Sequence, residues 1–357
     1  MSKTLNVIQV IDSLAVGGAE MMAVTIANEL VERGIDSHIC VTRCNGELAK
    51  KIDKKVKCIY LAKKRSLDIK AFFRLKKYVK KNTINIVHVH STSVFFCFML
   101  KLFCVKPKYI WHNHTGINTE LKKGGKFILL KFILNFYDNI VNVSKDLDIW
   151  TKSVLKLKKS VFIANFPSVS KEKKTELKLK KSNKIIILAA IRKEKDHFNL
   201  IRAFNLIQDK YQNWSLHIVG KIYNDVVSDE LIKYIKENDL EKKVYLYGTV
   251  LDTSYVLSQS DIAVLSSYSE GLPVSLLEYG LAGLPVVVTN VGECKNVVGD
   301  NGLVVEKKNS KSLSLALEKY IINNNFRKEM GQKFQHHVDE NYSKSSYFTN
   351  LLSLYNQ

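Results

Sequence analysis

Residues 261–305 read DIAVLSSYSEGLPVSLLEYGLAGLPVVVTNVGECKNVVGDNGLVV. Residues 262–265 and 286–288 are apolar without a break. A strand with one face in water would alternate, so both stretches must be covered on both faces, the condition of a parallel sheet sandwiched by helices. Between them a polar loop ends at Glu270 and Gly271, and a helix starts near Pro273, whose missing N–H suits a first turn. Gly283, Leu284 and Pro285 stop that helix. Such a strand–loop–helix unit makes an anion site: glycine lets backbone approach a ligand, and the free N–H groups of the helix start attract phosphate. Glu270 and Glu278 flank that point. Two carboxylates do not serve phosphate alone, but they suit hydroxyls, such as those of a ribose and a sugar. Spacing alone is equally met by a solvated loop residue and a polar helix face.

The first half of the chain repeats the rhythm. Residues 5–11 read as a buried strand, 19–31 as a helix and 37–42 as the next strand, so the βαβ order predicts a doubly wound sheet. Ligands of such sheets sit beyond the carboxyl ends of the strands, where the loop DSLAVGGAE places Gly17 and Gly18. Taken alone, the pair reads as a flexible turn. Residues 63–81 predict a basic helix. Strands 84–90 and 109–115 bring His88, His90, His112 and His114 toward the same end. Imidazole is a common metal ligand, but no Cys or Asp spacing accompanies these four, so no metal is expected. Asp146 and Asp148 form a DxD at a helix start, where acids suit the dipole. In residues 121–137, Lys122, Lys123, Lys126 and Lys131 interleave with aliphatic and aromatic residues. This is either a helix lying in an anionic membrane surface or a core helix with snorkelling lysines.

In the second half, strand 184–190 leads to Arg192 and Lys195, with a helix from about His197. An arginine fork, a lysine point charge and a helix start together suit a diphosphate; the other reading is a solvated loop. Strand 244–247 ends at Gly248 and Thr249, and helices follow at 312–323, 326–340 and 343–355.

The length of 357 residues allows two domains, and 46% hydrophobic with 25% charged residues excludes disorder. Six scattered cysteines without a CxxC predict free thiols in a reducing compartment. No apolar run approaches the ~20 residues of a bilayer span. The net charge of +21 is lopsided: residues 1–165 carry 29 Lys/Arg against 12 Asp/Glu, and residues 166–357 carry 26 against 22. A basic first half calls for a negative partner or reflects a lysine-rich composition. No recognisable RNA or DNA module accompanies it, so no nucleic-acid partner is expected.

Glu270, seven intervening residues and Glu278, followed by AGLPVV, GECKNVV and NGLVV, resemble the signature of the retaining GT-B glycosyltransferases, the large family 4-like group of bacterial polysaccharide and glycolipid enzymes. The resemblance spans nearly the whole chain. It implies an α/β GT-B fold, two Rossmann-like doubly wound parallel-sheet domains facing each other across a cleft. The expected bounds are 1–167 for an acceptor domain, 168–183 for a linker, 184–341 for a nucleotide-sugar domain and 342–357 for a last helix returning to the first domain. It implies transfer of a hexose or N-acetylhexosamine from a nucleotide-sugar, expected to be UDP-linked, to a glycan or lipid-linked acceptor in surface polysaccharide synthesis. Such an enzyme works in the cytoplasm, and the basic, apolar residues 121–137 add an expected contact with an anionic membrane at its inner face. No cofactor or metal is implied, the nucleotide-sugar being a co-substrate. In this resemblance Glu270 orients the donor sugar, and His114, or His112 as second choice, lies near it. Arg192 and Lys195 hold the diphosphate, although many members carry arginine where this chain has Ala190. Gly17 and Gly18 lie against the donor diphosphate and acceptor, and Gly248 and Thr249 against the base. Gly271, Leu272, Pro273 and Ser275 form the helix start at the donor, and Glu278 holds the ribose. The alternatives are a sugar-nucleotide epimerase on the same fold and a basic nucleic-acid- or membrane-binding protein without catalysis.

Overall fold

The runs of Val and Ile that read as buried strands become the centres of two parallel sheets. The computed structural model describes residues 5–65, 68–114, 124–167, 173–223 and 225–357. In chain order the first elements are β1 (Asn6–Ser13), α1 (Gly18–Glu32), β2 (Asp36–Cys44), β3 (Lys57–Tyr60), α2 (Ile69–Lys81), β4 (Ile86–His90), α3 (Val94–Phe103), β5 (Lys108–Asn113), α4 (Gly125–Leu134), β6 (Asn139–Asn142), α5 (Lys145–Ser153) and β7 (Ser160–Phe162). Then come β8 (Asn183–Leu188), α6 (His197–Asn205), β9 (Trp214–Val219), α7 (Val226–Glu237), β10 (Val244–Leu246), α8 (Thr253–Ser258), β11 (Ile262–Leu265), α9 (Val274–Leu281), β12 (Val286–Thr289), α10 (Cys294–Val298) and β13 (Leu303–Val305). The last helices are α11 (Ser310–Ile322), α12 (Asn324–Asn341) and α13 (Lys344–Asn356).

The chain divides into two units, Met1–Ala164 with Asn350–Gln357, and Asn165–Thr349. Among the described residues the first holds a seven-stranded sheet, β3-β2-β1-β4-β5-β6-β7, and the second a six-stranded sheet, β10-β9-β8-β11-β12-β13. Neighbouring strands run parallel throughout. The order reverses between β1 and β4 in the first unit and between β8 and β11 in the second. Those two switch points are where a doubly wound sheet opens a crevice for ligands.

In the first unit one sheet face packs Val87, Val89, Tyr109, Trp111 and Ile140 into a core with α2, α3 and α4. The other face carries Gln9, His88, His90 and His112, all fully buried. The second core gathers Ile185, Ile187, Leu216, Ile218, Ile262 and Val264 with α6 and α11.

Several bounds differ from the sequence reading for local reasons. The basic helix begins at Ile69, not at 63, because Asp68 caps it by accepting from Ala71 N, and Ala62 upstream has φ of 51°. The apolar run at 94–103 is a helix. In the stretch 121–137 the described helix is Gly125–Leu134; Leu121, Lys122 and Lys123 lie outside the described residues. Of the expected linker, residues 168–172 lie outside them too, but the part that follows is structured. Asp252 accepts from Lys174 N and Thr175 N, and Leu177 is buried. The last helix is divided. The rings of Tyr347 and Phe348 lie 4.6 and 5.5 Å from that of Phe166 within the second unit, whereas from Asn350 its residues belong to the first, where Tyr355 Oη lies 2.6 Å from His88 Nδ1.

Candidate active site

At the switch point of the second unit, two loops are tied together by charge. The loop after β8 makes one 3₁₀ turn, Lys193–Lys195, before Asp196 caps α6. The loop after β11 ends at Glu270. Lys195 Nζ meets Glu270 Oε1 at 2.6 Å, with the lysine side chain 23% and the glutamate side chain 8% exposed. Ser267 Oγ donates to the same oxygen at 2.6 Å, so Oε1 takes both bonds and Oε2 neither of them. Backbone closes the pairing: Tyr268 N donates to Glu194 O, and Ser266 Oγ to Lys195 O. Behind them Glu293 N donates to Gly271 O, and Gly292 at φ 49° passes so close that a Cβ there would lie 2.3 Å from Glu270 O. Only glycine fits that crossing.

Pro273 stands as N-cap of α9 rather than as its first residue, and no side chain caps the helix. The N–H groups of its first turn thus start beside Gly271 and Leu272, as an anion requires. Ser275 and Glu278 are half-buried on α9. Arg192 is held by an aromatic residue: its Nη2 donates to Tyr223 Oη at 2.6 Å and its guanidinium lies 5.3 Å from the ring centroid. Gly248, at φ 67° after β10, accepts from Gly220 N at 2.9 Å, which brings it and Thr249 to the same sheet end.

The first unit has its own polar cluster at its switch point. Asp12 closes β1 and accepts from Thr42 Oγ1 at 2.5 Å, Thr92 Oγ1 at 2.6 Å and Ser93 Oγ at 3.1 Å, with Lys63 Nζ 3.9 Å away. Burial pushes this carboxyl up, but the three hydroxyls and the lysine outweigh it, and it sits below the usual range. Gly17 is extended and Gly18 opens α1; a Cβ on Gly18 meets no atom of the described residues within 4 Å.

Four imidazoles line the adjacent strand ends. His114 Nε2 lies 3.0 Å from His90 Nδ1, and His90 Nε2 lies 2.8 Å from Gln9 Oε1. Burial lowers His88 and His114 to about 3 and holds His90 and His112 well below the ordinary histidine value. All four are neutral at physiological pH. Neither nitrogen of His112 has a hydrogen-bond partner among the described residues. Ring nitrogens of His88, His90 and His112 lie within 4.8 Å of one another, near enough to share an ion. Yet His88 and His112 stack at 5.1 Å with 8° between their planes. Their in-plane lone pairs run side by side instead of converging.

The structure thus joins Lys195, Glu270, Gly271 and Leu272 into one group with the start of α9, leaves the Arg192 guanidinium on Tyr223, and joins His114 to His90. Sequence reasoning missed Tyr223, Ser267 and Asp12. An ordinary tyrosine, serine and aspartate in loops carry no spacing signal of their own.

The family model described as glycosyl transferases group 1 matches residues 168–337, and that of glycosyltransferase family 4 matches residues 16–165. The chain belongs to the glycosyltransferases. This glycosyltransferase is 24% identical over 326 residues to an uncharacterized glycosyltransferase of Haemophilus influenzae, covering 89% of this chain and 90% of that one. It is 26% identical over 292 residues to the O-antigen biosynthesis glycosyltransferase WbnH of Escherichia coli, covering 79% and 81%. The crystal structure of HepE from Anabaena in complex with UDP and glucose superposes with a TM-score of 0.82 at 14% identity, over 98% of this chain and 99% of that one. The glycosyltransferase fold here is GT-B.

Proposed function

We propose that this enzyme moves a hexose or N-acetylhexosamine, with retention at the anomeric carbon, from a UDP-linked donor to a glycan or lipid-linked saccharide. The product is a surface polysaccharide such as capsule or O-antigen, assembled at the inner face of the cell membrane. The observation that carries the reading is the Lys195–Glu270 pair beside the uncapped start of α9, at the point where the sheet order reverses. The O-antigen relative supports the acceptor class, and the UDP-bound HepE supports the carrier.

Departure of the nucleotide diphosphate builds negative charge on phosphate and positive charge on the anomeric carbon. Lys195, Arg192 and the first N–H groups of α9 are fixed opposite the first charge, and such preorganised electrostatics dominate many enzymes' rates. These fixed cations do the work of a divalent ion, so the reaction is metal-independent in this proposal. Glu270 is held by Lys195 and Ser267 through one oxygen, which leaves the other to orient a sugar hydroxyl near the developing cation. A carboxylate so committed is a poor nucleophile. We therefore assign front-face attack, with the leaving phosphate taking the acceptor's proton. Glu278 takes the ribose hydroxyls, Gly248 and Thr249 the base, and Ser275 supports the donor end of α9. Gly17 and Gly18 border the diphosphate and the acceptor. His114, neutral with its pKa near 3, acts by hydrogen bonding to the sugar, not by proton transfer at neutral pH.

A thermal-shift panel of UDP, GDP, ADP and CMP in chelator tests the donor. Binding to the folded state alone adds ~2.7 kcal/mol at a hundred times the dissociation constant. The expected result is a rise with UDP that Lys195→Ala abolishes. A rise with none of the four at millimolar ligand overturns the proposal.

A further inference from the structure

Helix α3 is apolar on every side but for Lys101, which pairs with Asp138 at 2.8 Å. Val94, Phe96, Cys97 and Leu100 face the core. On the other side Phe95, Leu102 and Phe103 are 42, 49 and 62% exposed, and Phe98 and Met99 are partly so. An ordinary surface helix would place polar residues there. The surface continues onto both neighbours. On α2, Phe73 is exposed, and Lys76 Nζ lies 6.0 Å from its ring and 5.2 Å from that of Phe103. On α4, Ile128, Leu129 and Phe132 are exposed. The ring of Phe98 on α3 lies 6.0 Å from Phe132 and 5.2 Å from Phe136. One strip of rings and aliphatic side chains therefore crosses three helices, and it is this continuity, not scattered exposure, that marks an interaction site.

Charge selects the occupant. Helices α2, α3 and α4 carry nine Lys/Arg and no acidic residue. A second copy of the chain seated on this face would set those lysines against themselves, which like-charge repulsion opposes. A nucleic acid would satisfy the lysines and leave the aliphatic strip in water. An anionic bilayer satisfies both, rings at the acyl boundary and ammonium groups among the headgroups. No described helix is long and apolar enough to cross a membrane, so the contact lies in the plane of the surface.

We propose that the α2–α3–α4 face is the seat of this enzyme on an anionic lipid bilayer, with α3 at its centre. The sequence pointed only to residues 121–137; the packing shows α4 to be one flank of a wider surface. The inference deepens the membrane-side reading of the proposed function, but vesicle binding needs neither donor nor acceptor, so either can fail alone.

The test is flotation of the full chain with phosphatidylcholine vesicles, with and without phosphatidylglycerol. Wild type is expected to float with the anionic vesicles and to be weakened by salt. Replacing Leu102, Phe103 and Phe132 by Gln removes only exposed side chains, and an unchanged thermal melt would show the fold intact. That variant is expected to partition roughly a hundredfold more weakly. Replacing Lys76, Lys126 and Lys131 by Gln is expected to cost roughly tenfold or more. Absence of wild-type flotation overturns the proposal. So does a Gln variant of the apolar strip that floats like wild type, which would leave mere adsorption of any polyanion. A strip variant that loses self-association on gel filtration, with wild type not floating, would make the face a contact between copies.

Discussion

Lys195 and Glu270 illustrate how stability and activity separate within one pair. The carboxylate is nearly buried and the ammonium is partly open to solvent. Removing the lysine leaves a buried acceptor with Ser267 alone among the described residues to answer it, a loss of about 1–3 kcal/mol for an under-satisfied buried group. Removing both charges, as in Lys195→Met with Glu270→Gln, takes away the orphan and should restore most of that stability. The double-mutant cycle is thus expected to show strong coupling in unfolding free energy. Activity should behave otherwise. Lys195→Ala is expected to lose roughly a hundredfold or more in kcat/KM, the scale of a lost transition-state donor, and the stable double variant should not regain it. Recovery of activity in the double variant would make the pair structural only.

At the scale of elements, α9 carries Ser275 and Glu278, and its position is set by how closely it meets α12. A Cβ on Gly280 would lie 2.4 Å from Val338 Cγ2 and 2.9 Å from its Cβ. Gly280→Ala is therefore expected to push the helices apart at about 1–3 kcal/mol, the usual cost of overpacking, and to weaken UDP binding by moving the start of α9. Adding Val338→Ala removes the closer atom but keeps the Cβ at 2.9 Å, so the double variant should recover part of the melting temperature and of the affinity. If it recovers neither, the glycine matters for another reason. This contact also shows what the sequence could and could not disclose. The strands were legible because parallel strands buried on both faces leave unbroken Val and Ile runs, as at Ile185–Leu188 and Val286–Val288. Helix α3 was not, since the unbroken apolar run Val94–Leu100 has no period to read. Glu270, Lys195 and the glycine loop were legible as a local pattern. The resemblance set them at one donor, but their direct contact was not legible, because the partners stand 75 positions apart and only the sheet order brings them together. Tyr223, Ser267 and Asp12 gain their place from that same order and carry no motif.

For the molecule as a whole, histidine burial sets the response to acid. Seven of nine histidines, His38, His88, His90, His112, His114, His197 and His217, titrate below their ordinary value because burial disfavours the imidazolium. Folded values below unfolded ones mean that the unfolded chain takes up protons first. Stability is thus full above pH ~6.5 and falls as pH drops below it, by up to ~1.4 kcal/mol per pH unit for each such group until its folded pKa is reached. The carboxylates Asp12, Asp36 and Asp252 are lowered instead. Their contribution is present above the unfolded value of 3.8 and is lost only below it, so loss between pH ~6.5 and ~5 belongs to the imidazoles. The burden is unequal: His38, His88, His90, His112 and His114 lie in the first unit, and His197 and His217 in the second. The first unit should therefore soften first. Urea unfolding followed by Trp111 and Trp150 fluorescence is expected to move to lower denaturant more steeply with falling pH than unfolding followed by Trp214 in a variant with Trp111 and Trp150 replaced by Phe. His112→Leu should flatten the first slope, since that ring has no hydrogen bond among the described residues to lose and one fewer proton is then withheld. Parallel slopes for the two probes, or a flat response between pH ~7 and ~5.5, would show that these imidazoles are hydrated and protonate in place.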